Sequence, residues 1–112
     1  MANKSFIDGP AYVANAAADL YSPSSGITAK VRHIHLANKD SSTRTVTLYV
    51  GASGGSAGGT EILKDKSIAV GDVYDAYYPA GLLLVGGSTY LSGVASAASA
   101  VVCTITGDLE VS

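Results

Sequence analysis

Over most of its length the chain alternates apolar and polar residues with a period of two. Val101, Cys103, Ile105, Gly107, Leu109 and Val111 share one phase, and Val102, Thr104, Thr106, Asp108 and Glu110 share the other. Successive side chains of a strand point to opposite faces, so this stretch predicts a long strand with one buried face. Gly107 marks a place for a bulge within it. Cys103 falls on the buried phase and reads as a small core hydrophobe. Residues 43–50 repeat the pattern, with Val46, Leu48 and Val50 opposite Thr45, Thr47 and Tyr49. In residues 27–37 the phase changes: Ile27, Ala29 and Val31 point one way, Ile34 and Leu36 the other. A bulge near Arg32 or His33, or a strand passing from one sheet to another, accounts for the change.

Turn chemistry divides the rest. Asn38-Lys39-Asp40-Ser41-Ser42 is polar and predicts a hairpin between the strands on either side. Residues 51–59 are Gly, Ser and Ala alone, too costly to order against a core, and predict an exposed flexible loop. The phosphate-cradling alternative needs a helix opening after the glycines, and Thr60-Glu61-Ile62-Leu63 opens none. Residues 60–70 read as extended, residues 73–78 as a short aromatic strand closed by Pro79, and residues 80–85 as an apolar strand. Gly86-Gly87 then predicts a hairpin to residues 88–94. A short strand through Asp19-Leu20-Tyr21 ends at Ser22-Pro23. No segment sustains helical spacing. About eight short strands predict an all-β, single-domain antiparallel β-sandwich or jelly-roll-like barrel. Residues 1–10 form an extended N-terminal arm, and residues 11–112 the sandwich domain.

Composition narrows the function. Charged residues make up 14% of the 112, against about 25% in an ordinary soluble domain. A surface so poor in charge suits a protein partly covered by neighbours. The net charge is −2, and the tightest basic group is Lys30, Arg32 and Lys39. No phosphate-tracking patch results, so nucleic acid is not an expected partner. No apolar run approaches a membrane span, and no signal peptide is read in MANKSFIDGP. With one cysteine, the chain forms no internal disulfide.

Candidate chemistry is sparse. His33 and His35 are two apart, which puts them on one face of a regular strand, as in some metal sites. A third ligand is required, and Asp40 or Asp75 could supply it; nothing in the sequence places either nearby. Without it the pair reads as surface or interface residues, and no metal or cofactor is expected. No serine sits in a nucleophile-elbow motif. Asp65, Asp72, Asp75, Asp108 and Glu110 lie in turns or at exposed positions of alternating strands, the pattern of solvated charge. No catalytic residue is assigned, and an enzyme, for instance a metal-dependent one built on the histidines, is not expected. Tyr74, Tyr77 and Tyr78 beside Pro79 offer contact area with polar tips, suited to a partner subunit or a sugar. Phe6 and Ile7 are an apolar pair on the arm, suited to docking on a neighbour.

Two stretches carry a resemblance. One is VRHIHLAN (31–38), a polar turn, TVTLYV (45–50) and the Gly/Ser/Ala loop. The other is residues 82–85, Gly86-Gly87, SAASAVVCTITG (96–107) and the closing Glu110-Val111. Together, over residues 18–112, they resemble small virion structural proteins of tailed bacteriophages, of the head decoration or cement kind. The resemblance implies a non-enzymatic β-sandwich, often a homotrimer, that binds the major capsid protein or other virion proteins and stabilises the outer capsid lattice. A neck, tail or fibre component with a receptor or glycan-binding role is the alternative. Either would be made in the host cytoplasm and reside in the virion. The interface residues expected are Phe6, Ile7, His33, His35, Tyr74, Tyr77 and Tyr78.

Overall fold

The computed structural model describes residues 3–53, 55 and 60–111. These residues form eight strands: β1 (Asn3–Tyr12), β2 (Ala18–Tyr21), β3 (Ile27–Asn38), β4 (Arg44–Gly51), β5 (Glu61–Ile68), β6 (Val73–Val85), β7 (Tyr90–Ala95) and β8 (Val101–Val111). They make two four-stranded sheets, β1-β8-β3-β6 (sheet A) and β2-β7-β4-β5 (sheet B). Every pairing is antiparallel. The first strand pairs with the last, the second with the seventh, the third with the sixth and the fourth with the fifth. This is one long hairpin of paired segments rolled on itself, a jelly roll.

The core lies between the sheets. Sheet A contributes Ala29, Val31, Ile34 and Leu36 from β3, Ala76 and Leu84 from β6, and Val101, Cys103 and Ile105 from β8. Sheet B contributes Val46, Leu48, Ile68, Leu91 and Ala95. The phase change in β3 is absorbed by a bulge at Arg32, where pairing to both β6 and β8 shifts between Val31 and His33. The extra residue returns Ile34 and Leu36 to the side already occupied by Ala29 and Val31. The bulge expected in β8 at Gly107 belongs instead to its neighbour β3.

Three expectations are corrected. Of the arm expected over residues 1–10, residues 1 and 2 lie outside the described set, and from Asn3 the chain is the edge strand β1, laddered to β8 from Glu110 to Val102. A register shift between Asp8 and Ala11 accommodates Gly9 and Pro10, joined by a cis peptide. The alternation of β1 sends Phe6 inward, stacked on Tyr21 of β2 at 5.0 Å between ring centroids, and turns Ile7 outward. Second, β3 and β4 are not a hairpin, since they belong to opposite sheets. Buried Asn38 builds the corner: its amide donates to the carbonyls of Ser42 and Ile68, and its oxygen accepts from the Asp40 amide. Third, residues 80–85 and 88–94 are not paired across Gly86-Gly87 either. One long strand, β6, runs through Pro79 on the edge of sheet A, where a missing N–H costs no ladder bond. The chain then crosses to sheet B. The glycine-rich loop expected over residues 51–59 falls largely on residues 54 and 56–59, outside the described set.

Asp8 lies on the inner side of β1, and partial burial raises its carboxyl pKa above the ordinary 3.8. Burial first, and the Asp8 charge second, push up the Tyr21 hydroxyl and the Cys103 thiol. A raised folded-state value means that ionisation disfavours the fold. The penalty grows as pH rises from about 3.8 through the folded value, and is constant above it. Asp8→Asn is therefore expected to raise the melting temperature slightly at pH 7 and to leave it unchanged at pH 3. Parallel melting curves for the two proteins at both pH values check this, and an equal difference at both would refute it.

Candidate functional site

The outer face of sheet A differs from that of sheet B. Cross-strand partners share a face, so the registers define rows across sheet A. Tyr12, Val102, Ala37 and Val73 form one row, and Thr104, His35 and Asp75 the next. Below them lie Ile7, Thr106, His33 and Tyr77, followed by Ser5, Asp108, Lys30 and Leu83. Among the described residues, seven large hydrophobics are exposed: Ile7, Tyr12, Val70, Val73, Tyr77, Leu83 and Val85. All but Val70 stand on this face. The outer side of sheet B has none of these exposed large hydrophobics: its Tyr49, Tyr90 and Val94 are half-buried, among polar groups bonded to one another. The Thr47 hydroxyl donates to Asp65 and accepts from its amide, and the Ser92 hydroxyl donates to Asp19.

Near the β6 edge of sheet A, three titratable side chains meet. His33 Nε2 lies 2.8 Å and His35 Nδ1 2.5 Å from the same oxygen, Oδ1 of Asp75. These two hydrogen bonds, that of His35 first, hold the Asp75 carboxyl below the usual carboxylate range. The bulge at Arg32 is what makes the cluster. It sets His33 opposite Tyr77 and His35 opposite Asp75 on the outer face, while Ile34 stays in the core. Tyr77 stacks on His33 with ring centroids 4.5 Å apart and planes 7° apart, which fixes the imidazole plane. The three ligand-capable atoms all lie within 4.8 Å of one another, a set able to hold a metal ion.

The other sequence candidates separate. Asp40, the rival third ligand, is engaged elsewhere: Arg44 Nε and Nη2 each lie 2.6 Å from its Oδ2. The Ser41 amide and Arg44 lower its pKa. Of the three tyrosines, only Tyr77 is on the outer face. Tyr74 and Tyr78 pack against the core; the Lys66 ammonium sits 4.7 Å from the Tyr74 ring centroid, and burial raises the Tyr78 hydroxyl pKa. Asp108 and Glu110 are paired across β3–β8 with Arg32 and Lys30. Arg32 also donates to the Pro79 carbonyl at 2.5 Å, tying the bulge to β6. Cys103 is buried, and its thiol is pushed up to about 12 by desolvation, so it carries no thiolate chemistry at neutral pH. The described residues enclose no pocket.

The fold and this face define a jelly-roll domain with an apolar, histidine-bearing outer sheet. No protein-family model matches the chain, and no curated protein does. Among solved structures it is similar to a chain of the structure of infectious bursal disease virus Gt strain. Identity is 11% and the TM-score 0.31, over 97% of this chain and 30% of that one. The chain thus spans less than a third of that neighbour's length, and the likeness carries no functional argument.

Proposed function

We propose that this protein is a non-enzymatic structural component of a bacteriophage virion, a homotrimeric decoration protein that seats the outer face of sheet A on the capsid and stabilises it. One observation carries the reading: six of the seven exposed large hydrophobics among the described residues stand on the outer face of sheet A, and none stands on the outer face of sheet B. Exposed large side chains concentrated on one face of a folded domain suit contact with another macromolecule, here with Thr106, His33, Thr104 and His35 between them. The phage resemblance of residues 18–112 supplies the kind of partner. The jelly roll is an architecture that virus capsid proteins use, which supports the reading by analogy of fold alone.

The test is co-sedimentation of the purified protein with expanded capsids, together with its mass by light scattering. The expected result is a trimer that pellets with capsids. Ile7→Asp and Leu83→Asp place charge on the exposed face and should abolish pelleting while leaving the melting temperature within a few degrees. A monomer that ignores capsids would end the proposal, and pelleting with isolated tails alone would transfer it to a neck, tail or fibre role.

A further inference from the structure

We propose that His33, His35 and Asp75 form a binding site for one divalent transition-metal ion of the zinc class, on the outer face of sheet A. The sequence alone gives two ligands; the fold adds the third. Two imidazoles and one carboxylate are the donor set that zinc and its first-row neighbours take, whereas magnesium and calcium prefer oxygen throughout. His33 Nε2, His35 Nδ1 and Asp75 Oδ1 already converge, at 2.8 and 2.5 Å across the two imidazole–carboxylate contacts.

Zinc binds nitrogen and carboxylate oxygen at about 2.0–2.2 Å, so donors around a tetrahedral ion stand roughly 3.3 Å apart. The two contacts need to open by less than about 1 Å, and the two imidazole nitrogens, which lie within 4.8 Å of each other, need to stand at roughly the same 3.3 Å. Metal then replaces the shared hydrogen-bonding protons. Two neighbours favour the exchange. Tyr77 holds the His33 ring in place from one side. Arg32, adjacent in sequence, is committed to Asp108 and the Pro79 carbonyl. Three protein ligands leave at least one coordination position open. Binding by the isolated chain requires no partner and stands apart from the capsid proposal.

The experiment is calorimetric titration of zinc chloride into the chelator-stripped full chain, with nitrogen-15 spectra of the histidine rings. One zinc per chain is expected, with Nε2 of His33 and Nδ1 of His35 both shifting, and an excess of magnesium should not displace it. His33→Ala, His35→Ala and Asp75→Asn should each weaken binding by more than the roughly tenfold that loss of an outer-shell partner costs. Circular dichroism establishes that the variants remain folded. Absence of binding, ring nitrogens that do not respond in the parent chain, or Asp75→Asn binding zinc as tightly as the parent would each overturn the site.

Discussion

Ile34→Ala is expected to destabilise the domain by about 3–4 kcal/mol, within the usual range for truncating a buried isoleucine. Ile34 is wholly inaccessible to solvent and stands between Ile105 of β8 and Ala76 of β6 in the middle of sheet A. The loss combines burial of the missing methyl groups with a cavity that two flanking strands, fixed by their ladders, cannot close. A domain of this size has only about 5–15 kcal/mol in hand, so the change removes a large part of it. The melting temperature should fall by roughly 12–25 °C. Thr104→Ala, one strand away on the outer face, should stay within about 0.5 kcal/mol. Urea melts of the three proteins measure both effects. Equal stability of the parent and Ile34→Ala would contradict the packing described.

Gly107→Ala is expected to cost about 3 kcal/mol, for a different reason. A methyl group there would run into the Lys30 carbonyl oxygen and stand 3.0 Å from both the Lys30 carbonyl carbon and Phe6 Cε1. The carbonyl belongs to β3 just before its bulge, and the ring is held against Tyr21. Neither is the free end of a flexible side chain, so backbone has to move. Gly51→Ala provides the contrast. Among the described residues its added methyl meets only Thr60 Cγ2, at an ordinary 3.9 Å, and it should be nearly neutral. Denaturant midpoints that rank the two the other way would refute the account.

These positions show how far the sequence could be read. The two-residue alternation located the strands, and the reversed phase of Ile34 and Leu36 located the bulge to within a residue. Both are local signals. Strand partners are not local. Asn38 to Ser42 and Gly86-Gly87 announce that the chain turns, yet the same chemistry serves a hairpin and a corner between sheets. The long-range hydrogen bonds of Asn38 decide for the corner, and no spacing encodes them. The site divides in the same way. The His33–His35 pair was legible from its spacing. The choice between Asp40 and Asp75 depended on the β3–β6 register, which the Arg32 bulge and the longer path of residues 78–81 jointly set. Phe6 and Ile7, read as one docking pair, are separated by alternation. One ring completes the core while the isoleucine remains outside. Tyr74 and Tyr78 are half-buried against the core because they alternate with Tyr77 along β6, Tyr74 lying opposite Leu36.

The place of β8 in sheet A has a consequence for how the chain is made. It lies between β1 and β3, although it is the last of the eight strands to leave the ribosome. Until it emerges, the two earlier strands lack the ladder that joins them, and their apolar sides stay open to solvent and to chaperones. Maturation is therefore governed by contacts between distant segments, which places the domain among slow folders. A nascent chain halted before Val101 carries seven strands and no completed sheet A.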